Sequence, residues 1–386
     1  MELALLQESA IDGPDYNKFH QDLVPELRNR GCNITTFEPV TEGWDQLDFL
    51  GPICRAFSLS KDWQEISKSE IIYGSPMNSL PFLDSPAKHI VNFTYIADAM
   101  KRTIDRPEYG EEVLALKKHF EEAKSVGINF DHSNEEYYRL IKEAQETICR
   151  TKFSIVVPNR NAKEDLVRYY NIEPHRITVL PYGLEEEWFK ADQSCHQCDR
   201  LVRDVDSSKP LLIYYADLHY GLTDFMAQGV DRILETFARI RELQKMVILN
   251  TNDPSYRLLL QKRGAIVVEN PSTEHLSHLF HRGGIFVQTA RYETRNLPII
   301  QAMASSLPII SFPIGLAEDC VETGKNGFLV QNLIQMIAKV DFLRNNPDKA
   351  REFGHNSYLI AKNKFTLAKS TDQYFKYFEG LKPNSG

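Results

Sequence analysis

The 386-residue sequence has few cysteines and no long hydrophobic run. Six cysteines are too dilute for the disulfide framework of a small secreted domain. The densest group is Cys195-His196-Gln197-Cys198, and zinc would need two further ligands at comparable spacing, which the neighbouring sequence does not supply. No stretch of eighteen apolar residues occurs, and the first residues, MELALLQES, lack a basic region before their apolar stretch. We therefore expect a soluble, unsecreted, cytoplasmic protein without a bound metal, whose contact with membranes is at most peripheral.

Basic charge and dinucleotide-binding glycines are also lacking. The net charge is −8 with an isoelectric point near 5.8, which gives no support for a nucleic-acid partner, because such a partner requires a basic face. The N-terminal strand, loop and helix contain no GxGxxG pattern. A dinucleotide site, and with it a Rossmann oxidoreductase, is therefore disfavoured.

Length and patterning predict two α/β domains. The chain is long enough for two cores, and 42% of its residues are hydrophobic. Short buried strands alternate with helices of ten or more residues, which is typical of doubly wound parallel sheets. We place an N-terminal domain at residues 1–190, a polar linker rich in Asp, Ser and Arg at 191–209, and a second domain at 210–365.

The predicted elements follow the hydrophobic pattern. Predicted strands include Leu3–Leu6, Asn33–Phe37, Glu70–Tyr73, His89–Phe93, Phe153–Val157, Ile177–Leu180, Leu211–Tyr215, Met246–Leu249, Ala265–Val268, Ile285–Val287 and Leu307–Phe312. Predicted helices include Tyr16–Asn29 with a stop at Gly31, one opened by Gln228-Gly229 and running through Leu243, Tyr256–Arg263, Thr273–Phe280, Pro298–Ser305 and Leu367–Leu381.

The most informative stretch is residues 285–330. It predicts a strand, a polar loop carrying Glu293, a helix near Pro298 and a second strand, a unit of parallel α/β type. In such sheets ligands bind at the carboxyl ends of strands, near helix N-termini whose N–H groups favour anions. A carboxylate at Glu293 would lie beside that place, where it can hold sugar hydroxyls.

This stretch is similar to the donor-site signature of retaining glycosyltransferases of family 4. That signature has a Glu, seven residues, a second Glu, Ala-Met-Ala, a small residue and Pro, and later a Gly followed by a Glu. The matching positions are Glu293, Ala302-Met303-Ala304, Pro308, Gly315 and Glu318, with the Gly-x-x-Gly-x-x-Val ending at Gly324–Val330. Gln301 replaces the second Glu.

The resemblance implies a GT-B fold, in which two Rossmann-like domains face each other across a cleft and the C-terminal helix, residues 366–386, crosses back to the N-terminal domain. It also implies transfer of a hexose, with retention, from a nucleotide diphosphate sugar to a hydroxyl of a glycan or lipid-linked acceptor. GDP-mannose is our first choice of donor and a UDP-sugar the second. No cofactor is expected besides the donor, and a homodimer is left open.

The resemblance also assigns donor-site residues, to which we add Arg291 and Arg295 because they flank Glu293 in the same loop. Glu293 would hold the sugar and Arg295 would serve the departing diphosphate as the second catalytic residue. The donor-binding residues would be Gly13 in the first loop, Arg291, the backbone of Asn296 and Leu297, Gln301 at the ribose, Gly315, Glu318, and Val268 at the edge that meets the base. Gly315 is equally explained as a turn residue, and Glu318 as a helix-capping one.

Two basic residues of the family pattern are missing. Ala216-Asp217 stands where the family has Gly-Arg, and Gln228-Gly229 stands where it has Lys-Gly. Arg291 and Arg295 could compensate, since guanidinium groups bind phosphate in a bidentate manner. Both could instead be surface residues or pair with Glu293, and a divalent metal held by Asp217 is a further alternative. These losses motivate a second interpretation, a catalytically impaired sugar-nucleotide binding or partner subunit.

Overall fold

A computed structural model describes residues 1–7, 14–41, 50–105, 111–130, 135–190, 203, 205–206, 209–219, 221–240 and 242–381. Predicted Gly13, the Cys195–Cys198 group and most of the predicted linker lie outside these residues. The chain divides into two compact units. Unit 1 comprises Met1–Met100, Ser133–Gly183 and Phe365–Gly386, and unit 2 comprises Lys101–His132 and Leu184–Lys364.

Unit 1 is built on a six-stranded parallel sheet. Its strands are β1 (Glu2–Leu6), β2 (Asn33–Phe37), β3 (Ile71–Gly74), β4 (Lys88–Asn92), β5 (Ser154–Val157) and β6 (Ile177–Val179). Their order is β2-β1-β3-β4-β5-β6, and every pair is parallel. Because both faces of a parallel sheet are covered, the strands are nearly continuously apolar, as in Leu3–Leu6 and Ile155–Val157.

Unit 2 has a second six-stranded parallel sheet. Its strands are β7 (Leu211–Leu218), β8 (Gln244–Thr251), β9 (Ala265–Glu269), β10 (Ile285–Gln288), β11 (Ile309–Ser311) and β12 (Gly327–Leu329). The order is β12-β11-β10-β7-β8-β9. Strands β8 and β9 follow β7 on one side and strands β10, β11 and β12 lie on its other side, so the direction of strand addition changes between β7 and β10. The carboxyl ends of these two strands therefore border a topological switch point, where α/β sheets bind ligands.

The helices cover the sheets. They are α1 (Pro14–Asn29), α2 (Gly51–Ser58), α3 (Trp63–Ile66), α4 (Pro76–Ser79), α5 (Ala97–Ile104), α6 (Glu111–Ser125), α7 (Glu135–Arg150), α8 (Arg160–Tyr170), α9 (Gly221–Ala227), α10 (Val230–Arg239), α11 (Pro254–Gln261), α12 (Thr273–Phe280), α13 (Leu297–Ala304), α14 (Ala317–Cys320), α15 (Leu333–Asn345), α16 (Pro347–Lys364) and α17 (Leu367–Gly380). In the described part of the chain, no helix combines the length and the apolar character needed to cross a membrane.

Helix α6 belongs to unit 2, whereas the predicted domain division counted residues 101–132 in the first domain. Apolar packing explains the difference. Phe120 of α6 stacks on Phe130 with ring centroids 4.5 Å apart, and Phe130 meets Phe225 of α9 at 5.2 Å. Charge adds to this, because Glu112 accepts a bond from Arg232 of α10 at 3.0 Å. The charged pattern of the segment did not reveal these contacts.

Helix α17 lies in unit 1, although it is the last helix of the chain. Its buried face presents Tyr374 and Phe378, whose ring centroids lie 6.3 and 5.9 Å from that of Tyr73 in β3. Arg30 after α1 forms an ion pair with Asp372 at 2.8 Å. These contacts fix the amphipathic helix predicted at Leu367–Leu381 against the first sheet.

Candidate functional site

The loop between β10 and α13 is held by a pair of amides. Gln288, the last residue of β10, donates to Asn296 Oδ1 at 2.7 Å, and Asn296 Nδ2 donates back to Gln288 Oε1 at 3.0 Å. Both residues are buried, and Asn296 adopts the left-handed conformation (φ 49°) as the residue before the helix. Asn tolerates this conformation better than other non-glycine residues. The loop therefore returns sharply into α13.

Glu293 lies in this loop, and its carboxylate binds backbone N–H groups that precede the helix. Oε1 accepts bonds from the backbone N–H groups of Thr294 (3.0 Å), Arg295 (3.0 Å) and Asn296 (3.4 Å). These three residues precede Leu297, the first residue of α13, so the carboxylate fixes the loop that leads into the helix. In this structure the Asn296 N–H, which we expected to meet phosphate, is bound to Glu293.

Gly315 packs closely against the backbone of the same loop. Its φ is +50°, and a Cβ atom on this residue would lie 2.3 Å from the Glu293 carbonyl oxygen. Only glycine fits such a contact without movement of the backbone. The close approach that the sequence predicted at Gly315 is thus made to the Glu293 loop itself.

Gln228 contacts the second oxygen of the Glu293 carboxylate. Its Nε2 lies 3.3 Å from Glu293 Oε2. The Gln228 carbonyl accepts bonds from Tyr214 Oη (3.0 Å) and Thr289 Oγ1 (3.1 Å), which fix its backbone. From the sequence, Gln228 is a predicted helix start and a departure from the family pattern, without a role in the site. The structure makes it the neighbour of the predicted sugar-binding carboxylate.

Arg291 is not placed to bind phosphate, which corrects its predicted role. Its guanidinium forms two 2.7 Å bonds to the two carboxylate oxygens of Asp231 in α10. The side chains of Arg291 and Asp231 are 4% and 0% exposed. The partner is Asp231 rather than Glu293, the partner considered from the sequence. A buried arginine that is fully engaged in a bidentate ion pair has a structural role inside the protein.

Four other predicted residues differ in exposure. Arg295 is half-buried, and its backbone N–H is the second donor to Glu293. Gln301 is buried within α13, and Leu297, the first residue of that helix, has a buried side chain. Glu318 is exposed in the first turn of α14, where a carboxylate interacts favourably with the helix dipole. The roles of Arg295, Gln301 and Glu318 toward a donor stay predictions.

The carboxyl end of β7 carries a histidine that sequence reasoning missed. His219 Nε2 lies 2.7 Å from Asp217 Oδ1, and Asn250 Nδ2 donates to the same oxygen at 3.1 Å. The hydrogen bond with Asp217 raises the pKa of His219 although burial opposes this. Among the described residues no three His, Cys, Asp or Glu side chains gather in a way that could hold a metal. Asp217 is thus the partner of a histidine, and the signal for it was the Asp-x-His spacing.

Val268 lies in the core, which corrects its predicted contact with a base. Its side chain is 2% exposed. Asn270 N–H donates to Leu249 O at 2.7 Å, and hydrogen bonds of a parallel ladder alternate, so the backbone of Val268 also faces β8. Glu269, between them, directs its backbone groups to the outer side of this edge strand. A base at this edge would meet Glu269 rather than Val268.

Comparisons with known proteins agree with this fold. The structure of sucrose-phosphate synthase from Thermosynechococcus elongatus superposes with a TM-score of 0.73 at 15% identity and covers 98% of each chain. The structure of Anabaena HepE in complex with UDP-glucose gives a TM-score of 0.69 at 13% identity, covering 98% of this chain and all of that one (100%). These likenesses, with two six-stranded parallel sheets, define the GT-B fold of glycosyltransferases.

Sequence comparison agrees with the fold. Residues 212–346 match the model of Glycosyl transferases group 1, which supports a glycosyltransferase of that type. A curated relative, the MMP alpha-(1->4)-mannosyltransferase of Mycolicibacterium hassiacum, is 22% identical over 248 residues. The aligned part is 61% of this chain and spans 56% of the length of that relative. The matched residues include the complete Glu293 loop, α13 and Gly315.

Proposed function

We propose that the protein transfers a hexose from a nucleotide diphosphate sugar to a hydroxyl of a glycan or lipid-linked acceptor, with retention at the anomeric carbon. The observation that carries the proposal is the Glu293 carboxylate, held between the backbone N–H groups of residues 294–296 and Gln228 at the switch point of the second sheet. Membership in the retaining family 4 is part of the proposal.

The two carboxylate oxygens would have different tasks. Oε1 accepts bonds from the three backbone N–H groups of residues 294–296 and is thereby fixed. Oε2 receives the longer 3.3 Å bond from Gln228 and keeps capacity for a further donor, because each carboxylate oxygen has two lone pairs. We assign Oε2 to a hydroxyl of the donor sugar. Gln228 Nε2 then orients that oxygen and can itself reach the same sugar.

The departing diphosphate needs positive charge. Arg291 is committed to Asp231, so we assign this task to Arg295, the half-buried arginine in the Glu293 loop. A guanidinium stays charged throughout the accessible pH range. We name no protein residue as general base, and the leaving phosphate oxygen would take the proton of the acceptor hydroxyl.

The donor proposed first is GDP-mannose, supported by the curated relative that is named a mannosyltransferase. A UDP-hexose is the second candidate, supported by the similar Anabaena structure in complex with UDP-glucose. Calorimetric titration with GDP-mannose, UDP-glucose and an ADP-sugar, each with and without Mg²⁺, separates them. One donor should bind at least about tenfold more tightly than the others, a difference of about 1.4 kcal/mol.

Transfer is then measured on a panel of glycan and lipid-linked acceptors, with NMR of the anomeric proton to establish retention. The Glu293→Ala variant serves as the comparison, since it removes the carboxylate together with its bonds to the loop backbone. Turnover by the wild type and its loss in Glu293→Ala support the proposal. Inversion at the anomeric carbon, or no sugar-nucleotide binding at saturating concentration, overturns it.

A second candidate function is a sugar-nucleotide binding subunit without turnover. It is favoured by the neutral Gln228 and Gln301, and by Asp217 at the position of a family arginine. Tight donor binding combined with neither transfer nor donor hydrolysis would support this candidate. Donor hydrolysis in the absence of any acceptor would exclude it.

A further inference from the structure

The buried ion pair of Asp231 and Arg291 joins the two segments that present Gln228 and Glu293. Asp231 lies in the first turn of α10, three residues after Gln228, and Arg291 lies two residues before Glu293. Both guanidinium–carboxylate bonds measure 2.7 Å. A bidentate pair of this kind fixes the direction as well as the separation of its partners.

Arg291 also ties the loop to the end of α9. Its backbone N–H donates to Ala227 O at 2.7 Å, and Nη1 donates to Met226 O at 3.2 Å. On the other side, Gly229 approaches Thr289 so closely that a Cβ atom would lie 2.1 Å from the Thr289 carbonyl oxygen. Residues 226–231 and 289–292 are therefore fixed against each other by backbone contacts, and the ion pair adds a side-chain contact between them.

A contribution to the stability of unit 2 does not by itself explain why this pair is charged. Both side chains are almost completely removed from water, and desolvation offsets much of the attraction between buried charges. Apolar residues of similar volume often replace such pairs without loss of stability. What an apolar pair lacks is direction, because hydrophobic contacts allow small shifts that a bidentate ion pair does not.

We infer that Asp231 and Arg291 are positioning residues, whose ion pair fixes Gln228 and Glu293 relative to each other so that both face the donor sugar. The inference rests on the proposed function and adds the device that aligns its two polar groups. Removal of the pair should lower kcat, since a displacement of about 1 Å in a reacting group can cost about a hundredfold. It should leave the affinity for the nucleoside diphosphate nearly unchanged, because we assign neither residue to that part of the donor.

The test is the double variant Asp231→Leu/Arg291→Met, which replaces the charges by apolar groups of similar size. We expect a melting temperature within about 4 °C of the wild type and a kcat at least tenfold lower. The dissociation constant for the nucleoside diphosphate should change by less than about threefold. Arg291→Lys keeps the charge but loses the fork, and should give an intermediate kcat with the same nucleotide affinity.

The matched control is Glu122→Leu/Arg263→Met, which removes an ion pair in the same unit between α6 and the turn after α11. Its kcat should equal that of the wild type. A double variant at 231 and 291 with wild-type kcat overturns the positioning role, and if that variant does not fold, an Arg291→Lys variant with wild-type kcat does the same. A wild-type protein that binds no sugar nucleotide overturns the proposed function instead, so the two failures are distinguishable.

Discussion

Gln228 Nε2 lies 3.3 Å from Glu293 Oε2, so a neutral amide occupies the place beside the carboxylate where the family resemblance leads one to expect lysine. The amide can orient the carboxylate but brings no charge to a diphosphate. The effect of having Gln228 in place of the family's lysine can therefore be measured by substitution at this position.

The variant Gln228→Lys should bind nucleoside diphosphates about tenfold more tightly, about 1.4 kcal/mol, because a charged donor makes a stronger bond to phosphate than an amide does. Calorimetric titration with GDP and UDP measures the change. Gln228→Met is the matched control, with a similar length and no hydrogen-bond donor, and should not bind more tightly than the wild type. Equal affinities of the Lys and Met variants would show that position 228 does not face the diphosphate.

Arg295→Ala should weaken donor affinity at least tenfold, since it removes the guanidinium that we assign to the diphosphate. The loss should shrink as salt concentration rises, because added ions screen partly exposed charges. Arg351→Ala, an exposed position on α16, is the control and should bind donor as the wild type does. An Arg295→Ala variant with undiminished affinity would remove arginine compensation from the mechanism.

The sequence predicted the repeating architecture well, for a physical reason. Parallel strands buried on both faces must be apolar along their whole length, so Ile285–Gln288 and Ile309–Ser311 are visible as short hydrophobic runs. The helix predicted at Thr273–Phe280 is confirmed, and the structure shows Ser272 as its cap, since Ser272 Oγ accepts from His275 N–H at 3.3 Å. Local chemistry determines such features, and local chemistry is what a sequence displays.

Side-chain partners were harder to predict because they depend on long-range contacts. Arg291 and Asp231 are 60 residues apart, and Gln228 and Glu293 are 65 apart. An arginine two residues from a glutamate has the same local pattern whether it faces phosphate or the core. The burial of Val268 likewise depends on how β9 packs, and the neighbouring sequence carries no sign of which backbone groups face outward.

Gly315→Ala should destabilise unit 2 and disturb the Glu293 loop. Two penalties combine: the left-handed backbone conformation, about 1 kcal/mol for a residue with Cβ, and the clash of that Cβ with the Glu293 carbonyl oxygen. We expect a total loss of about 2–3 kcal/mol in urea unfolding, together with weaker donor binding.

Gly264→Ala separates the two penalties. Gly264 also has a positive φ, +72°, but nothing lies within 4 Å of its Cβ position. This variant should lose only about 1 kcal/mol and keep the donor affinity of the wild type. Equal losses in the two variants would mean that the contact between Gly315 and Glu293 does not constrain the loop.

Burial of His89 in β4 makes the stability of unit 1 depend on pH. The ring is stacked on Phe153 with centroids 4.0 Å apart, and in the described part of the chain neither ring nitrogen has a hydrogen-bond partner. Burial lowers the pKa of His89 to about 4. Between pH 6.5 and 4 the unfolded chain therefore binds this proton more readily than the folded one, and stability falls as the pH falls.

From pH 7.5 to pH 5 this residue should account for about 2 kcal/mol of lost stability. The variant His89→Phe keeps the stacked ring without a titrating group, so its unfolding free energy should fall less than that of the wild type by that amount. His355→Gln, at an exposed position of α16, is the control and should follow the wild-type curve. Urea unfolding at pH 7.5, 6.5, 5.5 and 5 measures the difference. Parallel curves for His89→Phe and the wild type would contradict the assignment, because the pH dependence would then come from other groups.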